Sequence, residues 1–307
     1  MAVTVGKLIE DLKLEVLVEG DKDKEITVND INRPGLQLSG YYNYFVPERV
    51  QVIGKAEWSF LDDMQPEIRK KRLKKYFSFD MACIIISRGL EVHEELILAA
   101  QKKNAWVLRS QLVTTQIINK VTMYLTTKLA PETRIHGVLV DVSGIGILIT
   151  GESGIGKSET ALELIKRGHR LITDDAVDIK EIDGTLIGTS PKVTIGMLEV
   201  RGIGIIDVPS LYGLSSVLQE KEIQLVMHFE TWKQDNNYDR LGIDYEYMEI
   251  LGVKVRKLTV PVTPGRNIAV IIEAAAVNYR YSLMSEITPV DIITKRMDEE
   301  NSVSNNN

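Results

Sequence analysis

The segment with the clearest chemical content is a glycine-rich octapeptide, Gly151-Glu152-Ser153-Gly154-Ile155-Gly156-Lys157-Ser158. It fits the pattern G-x-x-x-x-G-K-[ST] without a mismatch. Its glycines let successive backbone N–H groups point into one concavity, where the start of a helix adds partial positive charge. Lys157 is then suited to reach the β- and γ-phosphates, and the Ser158 hydroxyl to ligate Mg²⁺. The segment therefore predicts a site for a nucleotide or another polyphosphate.

The surroundings of the octapeptide support this interpretation. The apolar run Ile145–Thr150 predicts a strand before it, and Glu159–Lys166 predicts an amphipathic helix after it. A phosphate loop requires this order of strand, loop and helix. The alternative is a glycine-rich turn with an incidental lysine, which the intact motif disfavours.

Two adjacent carboxylates, Asp174 and Asp175, follow the apolar run Leu171-Ile172-Thr173. One of them could accept a proton from an attacking hydroxyl, while the other orients that hydroxyl or binds a metal ion. From this segment alone, a surface turn before the next strand is an equally good interpretation.

The segment Leu198–Val208 places charged residues among apolar ones. Ile203–Asp207 resembles the apolar strand plus aspartate that helps to hold Mg²⁺ in ordinary P-loop NTPases. Glu199 is an equally good oxygen ligand for a hard cation. Arg201 and Arg240 are candidates for stabilising charge on a transferred phosphoryl group, although single arginines are often surface ion-pair partners.

Length and composition indicate a globular protein of two domains. The chain has 307 residues, of which 44% are apolar and 26% charged, and its net charge is −6. The acidic balance gives no support for binding to nucleic acid or to an anionic membrane. No signal-peptide pattern and no apolar run long enough for a bilayer is present, so we expect a cytoplasmic enzyme. The single cysteine, Cys83, lies in an apolar run and predicts a buried, inert thiol.

The first part of the chain predicts a small α/β domain with a parallel sheet, because strand-like and helix-like segments alternate. A proline at Leu129-Ala130-Pro131 ends the pattern, so we predict an amino-terminal α/β domain at 1–128 and a catalytic domain at 129–307. A basic run at 69–75 is interpreted as a solvated helix face. The predicted elements are strands at Val50–Ile53, Ala82–Ser87 and Ala105–Arg109 and helices at Pro66–Tyr76, Val92–Lys103 and Gln111–Tyr124.

The second part predicts two hairpins. Gly137–Val142 and Ile145–Thr150 flank the turn Ser143-Gly144, and Val177–Ile182 and Thr185–Ile187 flank Asp183-Gly184. The remaining elements predicted there are a strand at Ile223–Phe229 and helices at Asn267–Met284 and Pro289–Glu299.

Taken together, these residues resemble the bacterial HPr kinase/phosphorylase family, and the resemblance extends over essentially the whole chain. It rests on Gly151–Ser158 with Glu159 after it, Asp174-Asp175, Leu198–Val208, Arg134-Ile135-His136-Gly137, Asp239-Arg240-Leu241-Gly242 and Pro261-Val262-Thr263-Pro264-Gly265-Arg266.

The resemblance implies a bifunctional enzyme with a carboxy-terminal P-loop kinase domain similar to phosphoenolpyruvate carboxykinase. Such enzymes phosphorylate a serine of HPr, the phosphocarrier of the sugar phosphotransferase system, from ATP or, in many members, pyrophosphate. They also remove that group by phosphorolysis, in which inorganic phosphate attacks and pyrophosphate leaves. The family controls carbon catabolite repression, is typically hexameric, and often responds to fructose 1,6-bisphosphate.

The resemblance also implies roles for single residues. Asp175 would act as base and acid, with Lys157, His136 and Arg240 completing the active site. Ser158 and Glu199 would hold Mg²⁺ or Mn²⁺, which moves the metal assignment from Asp207 to Glu199. The remaining positions are Arg201, Gly202, Gly204 and Asp207 in the signature, and Pro261, Pro264, Gly265 and Arg266 in a loop used especially in dephosphorylation.

Two other functions remain open from the residues alone. One is another enzyme class, either a small-molecule kinase or a GTPase. The GTPase is disfavoured because Thr294-Lys295-Arg296-Met297 lacks the aspartate of the guanine-specifying motif. The other is a nucleotide sensor without catalysis, which would have no use for Asp175.

Overall fold

The computed structural model describes residues 2–232, 246–263, 265–285 and 292–297. The chain divides into two compact units, Met1–Ala130 and Pro131–Asn307. The division lies at Pro131, just after the last helix of the first unit, because proline cannot continue a helical hydrogen-bond ladder.

The first unit is an α/β structure. Its elements are β1 (Val3–Thr4), α1 (Val5–Leu12), β2 (Glu15–Val18), β3 (Glu25–Ile26), β4 (Ile31–Asn32), α2 (Gly35–Ser39), β5 (Val50–Ile53), α3 (Lys55–Asp62), α4 (Pro66–Tyr76), β6 (Ile84–Ile86), α5 (Glu94–Gln101), β7 (Val107–Arg109) and α6 (Thr114–Leu129).

The sheet of the first unit confirms the parallel α/β architecture. Its strand order is β2-β7-β6-β5-β4, in which β4 to β7 run parallel and β2 is antiparallel to β7. Buried side chains of α2 to α5 pack on one face of the sheet, and those of α1 and α6 on the other. Strands β5 and β6 are short and rich in β-branched residues, and this composition predicts that both of their faces are buried.

Two smaller predictions for this unit are also confirmed. Cys83 is buried, and burial raises the pKa of its thiol to about 12. On α4, Lys70, Lys71, Lys74 and Lys75 are exposed to solvent, and Arg69 pairs with Glu95 at 2.9 Å. The basic run is therefore a solvated helix face.

The second unit contains the predicted phosphate loop. Its elements are β8 (Glu132–His136), β9 (Val138–Val142), β10 (Ile145–Gly151), α7 (Lys157–Lys166), β11 (Arg170–Thr173), β12 (Ala176–Ile182), β13 (Thr185–Thr189), β14 (Met197–Val200), β15 (Gly204–Asp207), α8 (Val208–Tyr212), a 3₁₀ turn (Leu214–Ser216), β16 (Glu220–Glu222), β17 (Leu225–Thr231), β18 (Glu246–Ile250), β19 (Val253–Val262) and α9 (Ile268–Ser282).

A six-stranded sheet forms the centre of this unit, with the order β11-β9-β10-β17-β19-β18. Helices α7 and α9 pack on one face, and the four-stranded sheet β16-β13-β12-β8 covers the other. Strands β10, β17 and β19 are parallel, so their carboxyl ends meet at one edge. The phosphate loop leaves the sheet at that edge, which is where open α/β sheets bind ligands.

Both predicted hairpins are present. Val142 pairs with Ile145 across Ser143-Gly144, and Ile182 pairs with Thr185 across Asp183-Gly184. The φ angles of the two turns are positive, at 52° and 91° in the first and 50° and 80° in the second. These are the conformations that two-residue hairpin turns require.

The interpretation of Ile203–Asp207 as the metal-binding strand of a P-loop NTPase is wrong. Strand β15 pairs with β14 in a separate two-stranded sheet, whereas the parallel neighbour of β10 is β17. Asp207 caps α8, since its carboxylate accepts hydrogen bonds from the backbone N–H of Ser210 at 3.4 Å and from its hydroxyl at 2.6 Å.

The end of the described chain is helical. Strand β17 and helix α9 agree with the predicted strand and helix within a few residues, and the Asn267 side chain caps α9 through the N–H of Val270 at 3.3 Å. Residues 292–297 form a helical stretch within the predicted segment Pro289–Glu299, whose other residues lie outside the described ranges. In the part of the chain that is described, no helix has the length and apolar character needed to cross a bilayer.

Candidate active site

The phosphate loop connects the end of β10 to the start of α7, as its motif requires. Gly151, Gly154 and Gly156 have φ angles of 140°, 84° and 101°, a region that side chains rarely adopt. A Cβ atom on Gly151 would lie 2.5 Å from the carbonyl oxygen of Phe229. Glycine is therefore needed there for close approach to β17 as well as for the turn.

Lys157 is the buried cation of the loop. Its Nζ donates hydrogen bonds to the carbonyl oxygens of Gly151 and Glu152, both at 2.9 Å. Burial lowers the pKa of Lys157, and Arg201 adds to that effect, whereas Asp174 and Asp175 oppose it. The ammonium group is thus held inside the loop by backbone carbonyls.

Asp174 connects the start of α7 to β14. Its Oδ1 accepts a hydrogen bond from the Ser158 hydroxyl at 2.9 Å, and its Oδ2 accepts one from the backbone N–H of Glu199 at 2.9 Å. Asp174 is only 5% exposed, and burial raises the pKa of its carboxyl group, while these two hydrogen bonds act in the opposite direction. Asp174 therefore fixes the orientation of the Ser158 side chain.

Asp175 and His136 form a pair at the mouth of the site. Oδ1 of Asp175 lies 3.0 Å from Nδ1 of His136, and the two side chains are 71% and 54% exposed. The antiparallel pairing of β8 with β12 positions them, because Ala176 is opposite His136 and the N–H of Gly137 donates to the Asp175 carbonyl at 3.0 Å. Asp175 has a φ of 68°, which is uncommon for a residue other than glycine and often marks a functional position.

The hairpin β14–β15 supplies the third side of the site. The Arg201 guanidinium lies over the phosphate loop, where it would be 2.5 Å from a Cβ atom on Gly154. Glu199 contributes a carboxylate from β14. Gly202 and Gly204, at the turn of this hairpin, have φ angles of 87° and 97°.

These groups line one cleft. Its walls are His136, Ser153, Gly154, Gly156, Lys157, Ser158, Glu159, Asp174, Asp175, Glu199 and Arg201. Cations and carboxylates thus converge where the phosphate loop predicts a polyphosphate. Among the described residues, no cluster of three or more His, Cys, Asp or Glu side chains forms a metal cage of its own.

The remaining residues singled out from the sequence do not line the cleft where the structure describes them. Arg240 and Pro264 are outside the described residues. Pro261 is near the end of β19, and its carbonyl accepts a hydrogen bond from Arg266 at 3.0 Å. Gly265 and Arg266 line a groove beside the first turns of α7, which shares Glu159 with the cleft.

Sequence reasoning did not assign definite roles to two residues that the cleft contains. Asp174 was left as one of two interchangeable carboxylates, and only its contacts with Ser158 and Glu199 separate it from Asp175. Glu159 lines the cleft in the first turn of α7. Its position directly after the phosphate-loop motif was the only signal for it.

Comparison with known proteins identifies the family of this chain. The model of the HPr serine kinase N terminus matches residues 3–125, and that of the HPr serine kinase C-terminal domain matches residues 127–297. The HPr kinase/phosphorylase of Clostridium beijerinckii is 77% identical over 301 residues, which are 98% of this chain and 100% of that protein. This chain belongs to the HPr kinase/phosphorylase family.

A second curated relative gives the same result. The HPr kinase/phosphorylase of Clostridium perfringens is 71% identical over 297 residues, or 97% of each chain. A solved structure of the HPr(Ser) kinase/phosphatase from Coxiella burnetii is 39% identical and covers 50% of this chain and 93% of its own, with a TM-score of 0.48. Family membership agrees with the two-domain α/β architecture described above.

Proposed function

We propose that this chain phosphorylates a serine of HPr with ATP and removes the phosphoryl group again by phosphorolysis. The relatives that it matches over nearly their full length carry the name HPr kinase/phosphorylase. The observation that carries the proposal is the pairing of Asp175 with His136 at an open cleft whose base is the phosphate loop.

In the forward direction, Asp175 accepts the proton of the seryl hydroxyl while the serine oxygen attacks the γ-phosphorus of ATP. The new bond joins the serine oxygen to phosphorus, the bond to the β–γ bridging oxygen breaks, and ADP leaves. Lys157 and Arg201 stabilise the negative charge on the transferred group. His136 holds the Asp175 carboxylate in position through their 3.0 Å contact.

In the reverse direction, an oxygen of inorganic phosphate attacks the phosphorus of phosphoserine. The bond between phosphorus and the serine oxygen breaks, and Asp175 returns its proton to that oxygen, as microscopic reversibility requires. The products are serine and pyrophosphate. By the same chemistry, pyrophosphate can replace ATP as the phosphoryl donor.

The oxygen donors of the cleft fit Mg²⁺ or Mn²⁺. Kinase sites bind such ions through one or two carboxylates together with the substrate phosphates, so no complete protein cage is needed. We assign Ser158 and Glu199 as ligands, with Asp174 orienting the Ser158 hydroxyl. A bound ion would neutralise charge on the phosphates.

Several further proposals follow from the family resemblance. Arg240 contributes charge stabilisation, and the Pro261–Arg266 loop serves the dephosphorylation reaction. The catalytic domain is similar to phosphoenolpyruvate carboxykinase. The enzyme acts in the cytoplasm as a homohexamer in carbon catabolite repression, with fructose 1,6-bisphosphate as a candidate effector.

The proposal is tested by incubating the full chain with purified HPr, Mg²⁺ and ATP labelled at the γ-phosphate. We expect label on a serine of HPr, and its release as pyrophosphate when unlabelled phosphate is added. Absence of labelled HPr would contradict the kinase assignment. Release as inorganic phosphate instead of pyrophosphate would contradict phosphorolysis.

A further inference from the structure

The tip of the hairpin β14–β15 carries apolar side chains that face solvent. Ile203 is 71% exposed and Ile205 is 74% exposed. On the other side of the hairpin, Leu198 is buried and Ile206 packs against the core of the second unit. Ile205 therefore points away from the core, as the alternation of side chains along a strand requires.

This apolar tip is continuous with the active-site cleft. Ile205 is the direct cross-strand partner of Glu199, so both side chains lie on the same face of the hairpin about 5 Å apart at their Cβ atoms. Ile203 follows Arg201 by two residues in the same turn. Glu199 and Arg201 line the cleft, and Ile203 and Ile205 consequently form part of its rim.

Large apolar side chains also occur on the segments that flank the hairpin. Val193, Ile195, Leu211 and Leu214 are 92%, 55%, 62% and 84% exposed. Their segments are connected, because the N–H of Val208 donates to the carbonyl of Gly196 at 2.9 Å. Exposed apolar residues that occur singly need no explanation, whereas a concentration beside a binding site typically marks an interaction surface.

We propose that Ile203 and Ile205, here called the hairpin rim, form a docking surface for apolar side chains beside the acceptor serine of the protein substrate. The inference rests on the proposed function and extends it from the cleft to its surroundings.

The exposure of the reacting groups identifies the occupant. Asp175 and His136 are 71% and 54% exposed, so the serine meets its base at the surface and not at the bottom of a pocket. A folded protein that presents a serine there must lay its neighbouring surface on the rim. A second copy of this chain seated on Ile205 would instead cover the cleft beside Glu199 and obstruct that approach.

The test uses the full-length double variant Ile203→Ser and Ile205→Thr. Both substitutions are polar and uncharged, which leaves the electrostatics beside Glu199 unchanged, and threonine keeps the strand preference at position 205. The matched control is Val277→Thr, since Val277 is 49% exposed on α9 and is not among the residues that line the cleft. Ile205→Val keeps an apolar side chain at this position and tests whether apolar character alone is enough to preserve the KM for HPr.

We expect the double variant to raise the KM for HPr about tenfold or more, which corresponds to about 1.4 kcal/mol. Its kcat at saturating HPr and its affinity for ATP should change less than about twofold, because the rim contacts only the protein substrate. Val277→Thr and Ile205→Val should retain a KM for HPr close to that of the wild type.

Three other outcomes would contradict the inference, and each has a different cause. An unchanged KM for HPr in the double variant means that the rim does not contact the substrate. A changed sedimentation coefficient means that a second copy of the chain occupies the surface. If the wild-type chain does not label HPr at all, that result contradicts the proposed function and, with it, the docking surface.

Discussion

Oδ1 of Asp175 and Nδ1 of His136 lie 3.0 Å apart, at the point where strand β8 pairs with the start of β12. The pairing of these strands therefore determines where the carboxylate points. Asp174, the preceding residue, has its side chain bound to Ser158 and to the N–H of Glu199. Of the two adjacent carboxylates, one thus holds Ser158 and the backbone of β14, and the other is exposed at the mouth of the cleft.

The first prediction concerns Asp175. We expect Asp175→Asn to lower the rate of phosphoryl transfer about a hundred- to ten-thousand-fold in both directions, because the amide cannot accept the serine proton. Asparagine tolerates the positive φ of this position, so the backbone should be preserved. Asp175→Ala should be equally inactive, and ATP binding, measured by calorimetry, should survive in both variants. Transfer at a near wild-type rate in either would refute the role assigned to Asp175.

The second prediction concerns the buried ammonium group of Lys157. Replacement by methionine removes the charge while keeping most of the volume, so we expect the Kd for ATP to rise about tenfold or more. The matched control is Lys166→Met, an exposed position at the far end of the same helix. Equal ATP affinity in the Lys157 variant and the control would show that the loop does not bind the polyphosphate.

The local elements of this fold were predictable because their signals are local. Ser143-Gly144 and Asp183-Gly184 predicted both hairpins, since few residue pairs adopt positive φ angles in succession. Helix α4 has the predicted bounds, Pro66–Tyr76, because a proline marks its first turn.

The errors and omissions concern contacts between distant segments. The pairing of β8 with β12, which brings His136 to Asp175, has no local signal, and the family resemblance was the only indication of an active-site role for His136. The apolar run Ile203–Asp207 resembled the apolar strand and aspartate of ordinary P-loop NTPases because of its composition. Its isoleucines at positions 203 and 205 are instead exposed, which periodicity alone cannot reveal in so short a segment.

The third prediction concerns the thiol of Cys83. Because burial raises its pKa to about 12, only about one thiol in ten thousand is ionised at pH 8, and the thiolate is the reactive form. We expect no measurable alkylation by iodoacetamide at pH 8 in the native protein over an hour, followed by mass spectrometry, and complete alkylation in denaturant. Raising the pH increases the thiolate fraction, yet the reaction should remain slow while the fold persists, since the group is also inaccessible. Rapid native labelling would show that the sheet of the first unit opens at Cys83.

The fourth prediction separates the two functions of glycine in the phosphate loop. Gly154 and Gly156 both have positive φ angles, so alanine at either position should destabilise the fold by about 1 kcal/mol. A Cβ atom at position 156 meets nothing within 4 Å, whereas one at position 154 would lie 2.5 Å from the Arg201 guanidinium. We therefore expect similar losses of thermal stability in Gly154→Ala and Gly156→Ala, but a larger loss of turnover in Gly154→Ala because it displaces Arg201 from the cleft.

The measurement compares kcat for HPr phosphorylation with the free energy of unfolding in urea for each variant. If the two variants lose turnover equally, the contact between Arg201 and the loop contributes nothing to transfer. If the expected difference is found, Arg201→Ala should lower turnover less in the Gly154→Ala variant than in the wild-type chain, because the guanidinium has already been displaced.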